Sequence, residues 1–199
     1  MYRVDGVAIG LKDYGSRPFL VRNTVGRLAA RREAKAYSAA AGLSGLPGFY
    51  GRLGPFSIAL SWVAATPLAE RERGSVGGAV FDRLERIVAG LHDRGIAVGD
   101  IHHRDVLVGD DGSVHLVDLA TSVVLGARPG FLRRALFERL RDQDRVALAR
   151  LRARFTGLDE DAAVEAVGSK AVARYARWRR VRRIWDAVRG RRRAPAGRK

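Results

Sequence analysis

The stretch 95–119, GIAVGDIHHRDVLVGDDGSVHLVDL, decides how the rest of the chain is organised. It opens on a glycine placed to end a helix. It closes with two short apolar runs, DVLV and VHLVDL, around Asp111-Gly112, a pair that favours a tight hairpin because both residues tolerate the turn's backbone angles. Three carboxylates punctuate it: Asp100 on the loop ahead of the hairpin, Asp105 where the first strand starts, and Asp118 at the end of the second strand. Asp110 and Asp111 belong to the turn and carry no assigned role.

Working outward, Val80, Leu84, Ile87, Val88 and Leu91 recur at helical spacing, which predicts a one-faced helix over 80–94 capped by Gly95. FSIALSWVA (56–64) predicts a buried strand that Thr66-Pro67 ends, and RERGSVGG (71–78) a polar loop. Farther upstream, VDGVAIGLK (4–12) predicts a strand in which Gly6 and Gly10 are irregularities. Asn23 and Thr24 are placed to cap a helix from Val25 to Ala41, with Leu28, Ala29, Ala36 and Ala40 inward and Glu33 within it. Downstream, 131–155 predicts a helix with Asp142 and Asp144 near its middle, 157–161 a loop, and 162–189 a further helix before a disordered GRRRAPAGRK end.

The length of 199 residues suits one domain with at most an appendage, and 47% hydrophobic residues suffice for a core. The net charge of +16 is local: 13 basic residues against Asp186 between Lys170 and Lys199 leave only +4 for the first 169 residues. Absence of cysteine excludes disulfides, thiolate metal sites and cysteine nucleophiles and fits a reducing compartment. The N-terminal sequence lacks the pattern of a signal peptide, and no stretch is apolar enough to span a bilayer, so a cytoplasmic protein is expected. Only four of the 37 basic residues are lysines, and one of them, Lys12, stands on an apolar strand; where arginine is the default cation, such a lysine points to ammonium chemistry.

Asp100, Asp105 and Asp118, preceded by Lys12 and Glu33, resemble the protein-kinase catalytic core, in which H-R-D-x-x-x-x-N puts a base and a metal ligand on one loop and D-F-G puts a second metal ligand after a hairpin. GLKDYGSRPF, RREAKAY, GLSGLPGFYGRL and LHDRGIAVGDIHHRDVLVGDDG are similar to small bacterial kinase-like proteins related to lipopolysaccharide core-sugar (Kdo/heptose) kinases and to RIO-type atypical kinases, over residues 7–155. The resemblance implies an α+β, protein-kinase-like bilobal fold with a truncated β-rich N-lobe and a helical C-lobe. Its domains would be 1–64 (N-lobe), 65–168 (C-lobe with catalytic loop and hairpin) and 169–199 (basic amphipathic helix and tail). It implies ATP held near a hinge at Ser61 to Ala64, Lys12 on the α- and β-phosphates, Glu33 as its partner, Asp100 as the base on an acceptor hydroxyl, and Asp105 and Asp118 as Mg²⁺ ligands. The acceptor would be a glycolipid sugar or a protein Ser/Thr.

The pattern departs from the family at four places: Val98 and Gly99 replace the His and Arg before the base, Asp105 replaces Asn, and Asp118-Leu119-Ala120 replaces D-F-G. Eleven residues precede Lys12, too few for a glycine-rich loop with both of its strands. Two rivals follow. One is a pseudokinase or scaffold module with weak nucleotide turnover; the other, resting on the basic tail alone, is a nucleic-acid-binding protein, which the body does not support. His102-His103 lacks a third ligand at metal spacing and reads as a pair of solvent-facing loop histidines; His92 and His115 read as half-buried structural residues. Asp144 reads either as an anchor of the catalytic loop or as a surface ion pair. In the tail, Trp178, Val181, Trp185 and Val188 form one stripe among arginines, which suits an anionic membrane surface and would place the protein peripherally at the inner face of the membrane; packing of that stripe on the C-lobe is the alternative.

If Lys12 serves a phosphate, Lys12→Arg keeps the charge but puts a planar group in its place. Phosphotransfer or ATP hydrolysis is expected to fall at least ~10-fold, about 1.4 kcal/mol of barrier, by steady-state kinetics; an unimpaired variant removes any special role for the lysine.

Overall fold

The fold is described from a computed structural model, covering residues 2–168 apart from 5, 17, 18, 20 and 21. The 169–199 segment, with its amphipathic stripe and basic tail, lies outside the described residues.

Strands β1 (Tyr2–Val4), β2 (Val7–Asp13), β3 (Phe49–Arg52) and β4 (Ser57–Ser61) form an antiparallel sheet in the order β1-β2-β4-β3. Gly6, expected as a strand irregularity, lies in the turn of the β1–β2 hairpin, where Val4 pairs with Val7. The single strand expected over 4–12 is thus two strands, and β1 precedes the Lys12 strand. Register places Lys12 opposite Ile58 and Ile9 opposite Ser61.

Helix α1 (Arg27–Ala39) packs across this sheet. Its expected capping does not occur: a wide helical turn, Arg22–Gly26, runs into it, and Asn23 Nδ2 donates to the Phe19 carbonyl 2.9 Å away, a bond back to residue i−4. The inner face also differs. Ala30, Glu33, Ala34, Ala36 and Tyr37 are buried with Ala40, whereas Leu28 is 48% exposed. The buried stripe passes through Glu33 because its carboxylate finds donors there, a gain that apolar patterning does not register.

The second body of the chain is mostly helical. Helix α2 (Gly78–Asp93) buries Phe81, Leu84, Ile87, Val88 and Leu91, so Phe81 takes the core place expected of the half-buried Val80. Thr66–Pro67, expected only to terminate a strand, forms a strand itself, β5, because its remaining backbone groups pair with Leu107 and Val108. After β6 (Ile96–Ala97), the hairpin of β7 (Val106–Val108) and β8 (Val114–Leu116) pairs Val106 with Leu116 and Val108 with Val114. Strand β9 (Val123–Val124) returns to pair with β6, and helix α3 (Phe131–Thr156) follows. Helix α4 covers Glu160–Ala166, with Asp159 accepting from the Asp161 and Ala162 amides at 2.8 Å. The expected continuous helix over 162–189 thus begins two residues early and ends at Ala166 within the described residues.

The loop between α1 and β3 joins the sheet to the helical body. Gly48 exchanges bonds with Ser61, its carbonyl accepting from Ser61 N at 2.8 Å and its amide donating to Ser61 Oγ at 2.7 Å. Three residues earlier, the Gly45 carbonyl accepts from Leu116 N of the hairpin at 2.9 Å. Gly45 has a φ of 86°, and a Cβ there would stand 2.3 Å from Ile87 Cδ1 of α2. Only glycine meets both conditions. Gly45→Ala is expected to cost about 2 kcal/mol and lower the thermal midpoint by roughly 4–8 °C in scanning calorimetry; an unchanged midpoint would mean that this loop does not join the two bodies tightly.

Candidate active site

The site begins with period-2 alternation. Lys12 and Tyr14 lie two residues apart and reach the same side of the sheet, where α1 presents Glu33. Lys12 Nζ donates to Glu33 Oε1 at 2.7 Å, and Tyr14 Oη donates to Glu33 Oε2 at 2.5 Å. A third donor arrives from the hairpin side: Leu119 N reaches Glu33 Oε1 at 3.3 Å. Glu33 is fully buried, and each of its oxygens is satisfied. Sequence reasoning missed Tyr14, although its spacing of two from Lys12 was the available signal.

Lys12 also lies 3.0 Å from Asp118 Oδ1, so one ammonium joins the carboxylates of α1 and of the segment after β8. Burial works against its charge, yet Glu33 and Asp118 together outweigh that and hold its pKa above the ordinary value. Burial and the neighbouring carboxylates likewise push the phenols of Tyr14 and Tyr37 up, so both stay protonated.

Hairpin register brings Asp105 and Asp118 together. The β7–β8 ladder extends one step beyond Val106–Leu116, with Val117 N donating to the Asp105 carbonyl at 2.9 Å, so Asp118 follows directly. Its Oδ1 also accepts from Ala120 N at 2.9 Å, which fixes the carboxylate at the turn. Burial, then the charge of Asp118, push the Asp105 carboxyl up to about 6; Lys12 opposes this and Asp100 adds to it. The three acids singled out in the sequence are thus electrostatic neighbours.

The Asp100 loop is held from behind by α3. Asp144, fully buried, accepts from Val98 N at 2.9 Å, from Gly99 N at 2.7 Å and pairs with His92 Nε2 at 2.9 Å. Gln143 Nε2 donates to the Gly99 carbonyl, and Thr121 Oγ1 to the Val98 carbonyl. Of the two readings of Asp144, the structure selects the anchor. Gly99 takes a φ of 84°, and a Cβ there would press on Leu140 at 3.2 Å, which explains a glycine in that position. Ile101 is buried, so Asp100 stands between two fixed residues.

The histidine pair is half-buried rather than solvent-facing: the His102 and His103 rings meet at a tilt of 33° with centroids 3.9 Å apart, and His103 lies 6.2 Å from the Phe155 ring. These ring contacts cover part of both imidazoles. Among the described residues no cluster of three His, Asp or Glu side chains forms a self-sufficient metal site. Two neighbouring carboxylates, Asp105 and Asp118, match what Mg²⁺ asks of a protein when phosphates and water supply its other oxygens. At the expected hinge, Trp62 N donates to the Ala8 carbonyl at 2.9 Å, and the chain then leaves the sheet.

No family model and no curated protein matches this chain. Among solved structures it is similar to the Rio2 kinase from Chaetomium thermophilum, with a TM-score of 0.54 and 18% identity over 85% of this chain and 59% of that one. A second structure, the Rio2 kinase-ADP/Mg²⁺-phosphoaspartate complex from the same organism, gives a TM-score of 0.44 and 16% identity over 81% of this chain and 56% of that one. The chain spans less than three fifths of the length of either. The fold is protein-kinase-like, a small antiparallel sheet joined to a helical region, as the catalytic-loop motif implied.

The raised Asp105 pKa fixes the sign of a pH effect. The folded chain holds that proton up to about pH 6, whereas the unfolded carboxyl releases it near its ordinary value of 3.8. Asp105 therefore adds relative stability in acid that is lost between those values and stays lost at neutral pH. In EDTA, Asp105→Asn is expected to match wild type near pH 4 and to melt higher at pH 7.5, by a few degrees once solvent screening of this half-buried group is allowed for. An equal difference at both pH values in parallel melts would show that Asp105 ionises freely.

Proposed function

We propose that this protein is an ATP-dependent phosphotransferase that moves the γ-phosphoryl group to a hydroxyl. The observation that carries the reading is Lys12 bonded at once to Glu33, at 2.7 Å, and to Asp118, at 3.0 Å, beside a loop that holds Asp100 in place. That arrangement presents a cation for the α- and β-phosphates, oriented by a buried carboxylate. Asp118 and Asp105 would hold Mg²⁺, which supplies charge neutralisation along the phosphate chain. Asp100 would accept the proton of the acceptor hydroxyl as its oxygen bonds to the γ-phosphorus and the bond to the ADP oxygen breaks.

The acceptor we propose is a glycolipid sugar or a protein Ser/Thr, by similarity to the lipopolysaccharide core-sugar and RIO-type kinases. Residues 1–64 would form the N-lobe and 65–168 the C-lobe, with ATP at Ser61 to Ala64 and a cytoplasmic location. A pseudokinase or scaffold role is the second reading. It is favoured by the absence, among the described residues, of a glycine-rich loop ahead of the Lys12 strand, into which β1 leads by a tight turn with Val4 opposite Val7.

Titration calorimetry with Mg-ATP separates the two. Asp118→Ala is expected to abolish metal-dependent binding, and Asp100→Ala to leave binding intact while removing turnover, since the base acts on the acceptor and not on ATP. Equal affinity in wild type and Asp118→Ala sinks the assignment; binding without turnover in wild type favours the scaffold.

A further inference from the structure

Helix α3 begins with six consecutive exposed residues, FLRRAL (131–136), before Phe137 enters the core. At about 1.5 Å per residue, these exposed side chains run along about 9 Å of helix. Phe131 is 83% exposed, Leu132 81% and Leu136 43%. At about 100° per residue they share, with Ala135, an arc of roughly 140°. Such a cluster of large apolar side chains is more than scattered surface leucines and marks a contact surface.

Charge indicates what covers it. No acid occurs between Asp118 and Glu138, while Arg128, Arg133 and Arg134 fall in that interval and Arg139 follows one turn inward. These four arginines are exposed and make no ion pair among the described residues. The occupant must be apolar at its centre and anionic around it. A second copy would set arginines against arginines, and the 170–199 segment, with a net charge of +12, would meet the same repulsion. The surface is the exposed first turns of a helix, suited to entering a soft interface. No described helix is long and apolar enough to cross a membrane, so the contact would be peripheral.

We propose that residues 128–139 form a docking ridge for an anionic bilayer surface, with Phe131, Leu132 and Leu136 entering the headgroup–acyl boundary and the four arginines engaging anionic headgroups. The ridge starts four residues after β9, which pairs with β6 beside the catalytic loop, so it begins within about 14 Å of that strand pair. A lipid-borne acceptor would then be presented near the site. The ridge itself does not rest on the catalytic reading.

The chain has no cysteine, so Leu132→Cys gives a single position for a polarity-sensitive dye in the full-length protein. With vesicles of phosphatidylcholine and phosphatidylglycerol at 3:1, the dye is expected to shift to the blue and to be quenched by spin-labelled acyl chains, with no change on pure phosphatidylcholine. The same dye at Arg32→Cys, exposed on α1, is expected to stay unchanged. In unlabelled protein at about 0.5 M salt, where the Debye length is below 10 Å, Phe131→Ser with Leu136→Ser should lower vesicle partitioning about tenfold. Both side chains are exposed, so melting by circular dichroism should not change. Co-sedimentation with an unshifted dye would assign binding to another segment and overturn the proposal, as would no sedimentation. A shift without lipid that grows with protein concentration, or an equal shift with polyglutamate, would overturn it in favour of a second copy or an acidic polypeptide. All of these readouts are independent of nucleotide binding and turnover.

Discussion

The carboxylate of Glu33 has no exposure to water, and an ion so placed is tolerated only if its oxygens are fully engaged. Three donors meet to engage it: Lys12 of β2, Tyr14 just after that strand, and the Leu119 amide from the segment after the hairpin. Removing one partner of such a buried pair typically costs about 3–5 kcal/mol, because the remaining charge is stranded. Sheet, helix and hairpin are therefore set relative to one another by a single acid. The same interaction aims the Lys12 ammonium, so the constraint that holds the site together also defines its chemistry.

A second buried carboxylate does the corresponding work on the far side. Asp144 takes two successive backbone amides, Val98 and Gly99, and a histidine, tying the middle of α3 to the loop that bears Asp100. Two backbone donors on one carboxylate fix the local chain direction, which a single side-chain contact would not. Between these two anchors lie Asp100, Asp105 and Asp118; burial first, and then the charges of Asp118 and Asp100, raise the pKa of Asp105. The acids crowd because Glu33 and Asp144 hold their backbone in place; a cation among them would relieve the repulsion.

The departures from the kinase pattern acquire physical meaning in this frame. Gly99 stands where the family has arginine because its backbone takes a positive φ and its amide is committed to Asp144, with Leu140 filling the space a side chain would need. Asp105 in place of Asn keeps a side-chain oxygen at that position and adds charge to an already acidic cluster. Leu119, in place of the D-F-G phenylalanine, is fully buried and contributes its amide to Glu33, so the backbone role at that position does not need an aromatic ring.

Local signals were sufficient for the hairpin and for helix α2, because turn chemistry and apolar spacing are written within short stretches; the resemblance marked five candidate residues, of which Lys12, Glu33 and Asp118 are joined by ion pairs. The face of α1 was not legible in this way. Apolar patterning favoured Leu28, and the helix instead turned Glu33 inward, a choice that depends on donors arriving from residues 12, 14 and 119. Tyr14 offered only its spacing of two from Lys12, and its role shows once the Glu33 carboxylate stands opposite. Asp144 admitted two roles from sequence, and the nearness of residues 98 and 99, more than forty positions away, selected one. Sequence by itself determined which residues carry charge and which segments form elements, because those properties are local. Tertiary structure alone decided which charges are buried against each other, because that depends on contacts between residues far apart in the chain.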